Sequence, residues 1–178
     1  MQLFRYKPLG VGFVVLCPDK NPAALRITVN GIKNRYRGAN VIVSVPEDIH
    51  PEDLEAIGKV CGAYKGGNTI TSLINAGLNH ASDGWNLVVI SGSHVRQGLD
   101  RKLSYFVEEI TDILFPIAEG RANFVDGSIN GILIHRDTWK MVGGFCNEKP
   151  LDICKTLWAT EAIEKGCTFK AVIGAQIL

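Results

Sequence analysis

Short apolar runs, each closed by a proline or a polar turn and separated by amphipathic stretches, leave this chain few possible architectures. Val11-Gly12-Phe13-Val14-Val15-Leu16 carries no polar side chain and is closed by Pro18 and Asp19-Lys20-Asn21. An apolar run of that length bounded by turn residues reads as a strand buried on both faces, as in parallel sheets. Asn21 then offers a helix N-cap and Pro22 a first helical position. Leu25, Val29, Ile32 and Tyr36 follow on one helical face. Asn40 to Val45, stopped by Pro46, predicts a second buried strand, and Leu87 to Ile90 a third.

Helical patterns fill the intervals. Pro51 opens a helix with Leu54, Ile57 and Cys61, and another follows Gly66-Gly67 with Ile70, Leu73, Ile74, Gly77 and Leu78. Leu99, Leu103, Phe106, Val107, Ile110 and Leu114 predict one long amphipathic helix ending before Pro116. Ile129 to Ile134 reads as a strand, and Asp137 as the cap of a short helix that stops at Gly143-Gly144. A helix from Leu151 to Lys165 closes at Gly166, a residue suited to the left-handed position after a helix. Thr168 to Ile173 is the last strand. This alternation predicts an α/β fold: a three-layer α/β/α sandwich on a mainly parallel (mixed) central sheet, one domain over residues 1–178.

Ligands of such sheets bind beyond the carboxyl ends of the strands. The loops to watch are therefore Cys17–Asn21, Pro46–His50 and Ser91–Gln97. Several chemistries are excluded there. No Gly-x-Gly-x-x-Gly follows the first strand, no Gly-x-x-x-x-Gly-Lys-Ser/Thr occurs, and there is no Gly-x-Ser-x-Gly elbow. The 19 basic against 18 acidic residues leave a charge of +1, which predicts no nucleic-acid partner. The apolar runs fall far short of the ~20 residues of a membrane span. With no secretory pattern at the start, a cytoplasmic location is expected. Five cysteines, an odd number without a Cys-x-x-Cys pair, predict free buried thiols rather than disulfides or zinc ligands.

The motifs stand in a particular order. Gly12 to Asn21 is an apolar strand and polar turn, and Val41-Ile-Val-Ser-Val-Pro-Glu-Asp48 ends in acids. Asn75-Ala76-Gly77-Leu78 lies in a helix, and Trp85 to Ile90 leads into Ser91-Gly92-Ser93-His94. Asn130 to Phe145 then runs strand, short helix and Gly-Gly-Phe, ahead of Leu151-Asp152. Over residues 11–173 this order resembles the family 2 nucleotide-sugar-dependent glycosyltransferases of the A-type fold.

The resemblance implies a nucleotide-diphospho-sugar transferase-like fold. It also implies transfer of a sugar from a nucleotide-sugar donor to the hydroxyl of an unknown acceptor. Asp152 stands where inverting members carry the general base that takes the acceptor's proton. Glu47 and Asp48 loosely match the acids that end the family's second strand and bind the nucleotide. Asp19, at the end of the first strand, and Asn75, in the Asn-Ala-Gly-Leu helix, are further donor-site candidates, with a solvated turn and local hydrogen bonding as their plainer roles. One departure matters. The family's Asp-x-Asp is replaced by Ser91-Gly92-Ser93, and neutral hydroxyls are poor ligands for a hard cation. No cofactor is assigned, and Mn²⁺ or Mg²⁺ is disfavoured on this ground.

Read from the residues themselves, Ser91, Ser93 and His94 form a small polar turn in which Gly92 lets backbone N–H groups approach an anion. Arg96 could pair with a phosphate in place of the missing metal. Each candidate also fits a plainer role: a solvated turn for Glu47 and Asp48, a surface turn for residues 91–96, the helix dipole for Asp152. The functional expectation is a glycosyltransferase acting without a metal. The alternative is a catalytically degenerate chain of the same fold serving as a binding or assembly module. A generic α/β nucleotide-binding domain is a third reading. The oligomeric state is not legible.

Overall fold

A computed structural model describes residues 9–59, 61–116, 124 and 128–172. The first half follows the sequence pattern closely. Strand β1 (Val11–Leu16) leads to helix α1 (Pro22–Arg35), whose N-cap Asn21 accepts hydrogen bonds from the amides of Ala23 and Ala24. Strand β2 (Val41–Val45), helix α2 (Pro51–Gly58), a short strand β3 (Gly62–Lys65), helix α3 (Ile70–His80) and strand β4 (Trp85–Ile90) come next. The chain then forms helix α4 (Leu99–Ser104), strand β5 (Asp112–Pro116), strand β6 (Leu133–His135), helix α5 (Arg136–Val142), helix α6 (Leu151–Glu164) and strand β7 (Thr168–Val172).

The seven strands form one mixed sheet in the order β3-β2-β1-β4-β6-β5-β7. Only β6 runs against its neighbours, so β1, β2, β3, β4, β5 and β7 share one direction. Alternation along the strands divides the core in two. Phe13, Val15, Val43 and Val89 pack with Leu25, Val29, Ile32, Ile57 and Leu103 of α1, α2 and α4. Val14, Leu16, Ile42 and Val88 pack with Leu73, Ile74, Trp139, Trp158 and Ala162 of α3, α5 and α6. That is the expected three-layer sandwich, because side chains of successive strand residues point to opposite faces.

The long helix expected over residues 99–114 is not formed. Helix α4 ends at Ser104, and residues 112–116 are a central strand. The carboxylate of Asp112 accepts the amides of Glu108 (2.7 Å) and Glu109 (3.0 Å), which turns the chain out of helical geometry. Ile113, Leu114 and Phe115 are consecutive buried residues, as a two-sided strand requires, whereas Phe106 and Ile110 are exposed. A coincidence of spacing mimicked a helical stripe.

Other differences are local. Cys61 lies past the end of α2, which stops at Gly58, and β3 was not anticipated because its four residues, Gly-Ala-Tyr-Lys, carry little apolar signal. The strand expected at 129–134 pairs as β6 only from Leu133. Its forerunner still holds β4 through Gly131 N–H to Val88 O and Val88 N–H to Ile132 O. His135, not Asp137, is the N-cap of α5, its Nδ1 accepting the amide of Asp137. Cys146 and Cys154 are joined as a disulfide, contrary to the expectation of free thiols, while Cys17, Cys61 and Cys167 are free. The loop from Gly143 returns onto the start of α6 and brings two cysteines distant in pattern into contact. Val60 and Ile173 lie outside the described residues.

Candidate functional site

Strands β1, β2 and β4 leave the sheet level with one another, since Leu16 pairs with Ser44 on one side and Ile90 on the other. Their three loops therefore meet at one edge. In the first, Cys17 is buried and its amide donates to Ser44 O. Burial, followed by the neighbouring Asp19 carboxylate, pushes its thiol up to about 11. Asp19 is exposed, and its Oδ1 accepts the Ser91 hydroxyl at 3.0 Å, tying the end of β1 to the end of β4. Lys20 has φ 54°, the single positive φ of a non-glycine residue among the described residues. Its Nζ stands 2.5 Å from Asp48 Oδ2, tying β1 to β2. That hydrogen bond holds the Asp48 carboxyl below its ordinary range. The backbone carbonyl of the adjoining Glu47 accepts Lys65 Nζ at 3.0 Å.

The turn after β4 is fastened from both sides. Thr28, a polar residue within the buried stripe of α1, accepts the Gly92 amide at 2.9 Å and donates to Ser93 O at 3.1 Å. Asn130 accepts the Ile90 amide at 3.0 Å and donates to Ser93 Oγ at 2.9 Å. His94 is exposed. Beyond it the chain descends along α1, where the Tyr36 hydroxyl donates to Arg96 O at 2.5 Å and accepts the Leu99 amide at 3.0 Å. Tyr36 is the C-cap of α1, the opposite end of a helix roughly 20 Å long. Only the backbone carbonyl of Arg96 is fastened there, and its side chain is exposed.

Asp152 and Asn75 belong to the second half of the same edge. Because β7 runs in the direction of β1, α6 must start on the edge where Ser91 lies, and Asp152 is exposed in its first turn. Asn75 does not reach that turn but holds the Gly-Gly-Phe loop. Its Oδ1 accepts the Phe145 amide at 2.8 Å, and its Nδ2 donates to Phe145 O at 2.8 Å and Asn147 Oδ1 at 3.1 Å. Gly143 has φ 93°. A Cβ at Gly144 would stand 2.9 Å from Asn75 Oδ1. Both glycines of the motif thus have a steric reason, as does Gly77, where a Cβ would fall 2.3 Å from Val14 Cγ1. Trp158 Nε1 donates to Gly143 O at 2.7 Å, and the Cys146–Cys154 disulfide closes the loop onto α6.

The structure brings Asp19, Asp48, Ser91 and Ser93 into one hydrogen-bonded edge with Glu47 and His94 beside it. Lys20, Thr28 and Asn130 complete that edge and were not singled out in the sequence. Thr28 had a signal, a hydroxyl in the apolar stripe of Leu25, Val29 and Ile32. Asn130 and the Lys20–Asp48 pair had none, since their partners are remote in sequence. A cavity of about 470 Å³ lies elsewhere, at the amino ends of the strands, lined by Val11, Gly12, Asn40 and Ser82 among others.

The residues present do not fit a divalent cation. At the position of the expected carboxylates, the Ser91 hydroxyl donates to Asp19 while the Ser93 hydroxyl and carbonyl accept from Asn130 and Thr28. Asp48 faces an ammonium group. Among the described residues no three His, Cys, Asp or Glu side chains converge. A hard cation needs several free anionic or carbonyl oxygens.

No protein-family model matches the chain, and no curated protein matches it in sequence. Solved structures do match in three dimensions. The S. aureus glycosyltransferase TarS, residues 1–349, superposes with a TM-score of 0.60 at 14% identity, covering 90% of this chain and 58% of that one. A second S. aureus TarS structure gives 0.59 at 13% identity, covering 92% and 35%. The mixed sheet with flanking helices is the fold this chain shares with TarS. At that identity the likeness concerns the fold alone. The chain spans little more than half of the shorter TarS structure and about a third of the longer. Among the described residues no helix is long and apolar enough to cross a membrane.

Proposed function

We propose that this chain is a sugar-transferring unit that takes a nucleotide-sugar at the carboxyl edge of β1, β2 and β4 and passes the sugar to an acceptor hydroxyl. The observation that carries the reading is the polar edge made by Asp19, Lys20, Asp48 and Ser91 on a glycosyltransferase-like sheet. Asp19, Glu47 and Asp48 offer acceptors for ribose hydroxyls and base N–H groups. The amides expected to meet an anion at Ser91, Gly92 and Ser93 already donate to Leu16 O, Thr28 Oγ1 and Ile90 O, so at this turn exposed His94 is the group left for the diphosphate. Asp152, exposed at the start of α6, accepts the acceptor's proton as its oxygen attacks the anomeric carbon, with inversion. Asn75 acts at a distance by holding the Phe145 loop on the acceptor side. Arg96, moored to Tyr36, is left out of the donor site.

Calorimetric titration with UDP, GDP and their sugar conjugates, in EDTA and in Mn²⁺ or Mg²⁺, tests the reading. Binding in EDTA that weakens at least fivefold in Asp19→Ala is expected. No binding of any nucleotide overturns it. Replacement of the metal-binding motif also favours a second reading, a chain that binds the donor without turnover. Binding without sugar release or transfer selects that one.

A further inference from the structure

We propose that Lys20 is the cationic anchor for the donor's diphosphate, taking the place of the divalent cation that Ser91-Gly92-Ser93 cannot hold, and that its pair with Asp48 exchanges partners when the donor binds. The inference rests on the proposed function above and names the residue that makes the donor site metal-independent.

Three observations converge on Lys20. Its backbone occupies the left-handed region at φ 54°, where an unbranched L-residue is disfavoured and which Gly or Asn would fill more easily. A conformational outlier of this kind persists when surroundings impose it and gathers at ligand sites. Here the side chain reaches from the loop of β1 to that of β2, where it meets Asp48, while the preceding residue, Asp19, binds Ser91 on the other side. Second, the side chains of Lys20 and Asp48 are 46% and 53% exposed. Exposed pairs of this type contribute little and exchange readily. Third, the other basic candidate, Arg96, belongs to a segment fastened to the far end of α1.

The exchange satisfies both ligand and protein. A diphosphate carries anionic oxygens that hydrogen-bond more strongly to an ammonium group than neutral acceptors do. When Lys20 turns to it, Asp48 is released with its carboxylate free to accept ribose hydroxyls. On transfer, the developing charge on the leaving nucleoside diphosphate is then met by a fixed ammonium, the electrostatic role a metal ion would otherwise play.

The test uses the intact chain in EDTA, titrated with UDP, UMP and uridine, and with the guanosine series if GDP is the tighter ligand. Lys20→Met preserves the aliphatic stem and, being exposed, leaves melting unchanged. It is expected to weaken the diphosphate by about tenfold or more, the monophosphate less, and the nucleoside by under twofold. Lys20→Arg restores most of the diphosphate affinity. The loss in Lys20→Met shrinks in 0.5 M NaCl, as a charge contact requires. Equal losses for uridine and UDP in Lys20→Met, affinity within twofold of wild type, or wild-type binding that appears only with Mn²⁺ each overturn the proposal while leaving nucleotide binding intact. Wild-type protein that binds neither UDP nor GDP overturns the parent reading instead.

Discussion

Thr28 offers the sharpest test of how the candidate site is held. Its hydroxyl is the shared partner of two backbone groups of the Ser91–Ser93 turn, and the residue is 2% exposed. Thr28→Val keeps the shape and removes both bonds. Ser93 O, on a buried residue, loses its donor at a cost of about 1–3 kcal/mol, and the half-wet Gly92 amide adds about 1 kcal/mol. The methyl gained by valine returns about 0.8 kcal/mol, leaving a net loss of about 1–3 kcal/mol. For 178 residues the unfolding entropy is about 0.37 kcal/mol/K, so the melting temperature falls by about 3–8 °C. Thr28→Ser keeps the hydroxyl and loses only a methyl, so it should fall less than valine does. Calorimetric melts of the three proteins decide it. Valine within 1 °C of wild type, or serine falling as far as valine, would refute the claim that this hydroxyl fastens the turn. On the proposed reading the same valine variant should also bind UDP or GDP several-fold more weakly, because the turn that carries Asp19's partner Ser91 loses its tether to α1.

Further expectations concern other parts of the fold. Gly77→Ala places a methyl against Val14 Cγ1 and should cost about 1–3 kcal/mol in urea denaturation; unchanged stability refutes the close approach of α3 to β1. Burial alone would raise the Asp112 carboxyl, yet the amides of Glu109 and Glu108 and the Lys170 ammonium outweigh it and hold the group below its ordinary 3.8. A depressed carboxyl stabilises above its unfolded value and loses that contribution as pH falls through the folded one. Asp112→Asn should therefore be about 2–3 kcal/mol less stable at pH 7, with the gap narrowing as pH falls below the ordinary carboxylate range; a gap that does not narrow at all on acidification contradicts the assignment. Cys17, pushed up to about 11, should resist iodoacetamide at pH 8 in the folded protein and react on unfolding. Asp152→Asn should abolish transfer while leaving UDP or GDP affinity within twofold, since the base touches the acceptor and not the nucleotide; equal turnover removes it from the chemistry.

Wherever one segment carried its own instruction, the sequence sufficed. The Val11–Leu16 run, the Asn21-Pro22 start and the stripe of Leu25, Val29 and Ile32 describe β1 and α1 almost to the residue, because burial on both faces and helix capping are local signals. They also place three loops at the carboxyl edge of the sheet, and so the site. Local reading failed where a polar turn and pairing with remote strands overruled an apolar spacing, as in β5 between β6 and β7. Asp112 bonding to the amides of Glu108 and Glu109 converts an apparent helix into strand β5. Cys146 meets Cys154 only because the loop after Gly143 returns onto the first turn of α6.

The site shows the same division. That Ser91-Gly92-Ser93 cannot serve as a carboxylate pair is a matter of residue type alone. Which cation stands in its place is not, because charge acts through space rather than along the chain. Arg96 is nearer to Ser93 in sequence, but Tyr36 binds its carbonyl at the far end of α1. Lys20 is 71 residues from Ser91, and parallel pairing of β1 with β4 brings its neighbour Asp19 onto that turn, while pairing of β1 with β2 brings its ammonium to Asp48. The residue types and their order determined the layers and the edge where the candidate site lies. Strand register and remote hydrogen bonds, which no local pattern encodes, decided which side chains share that edge.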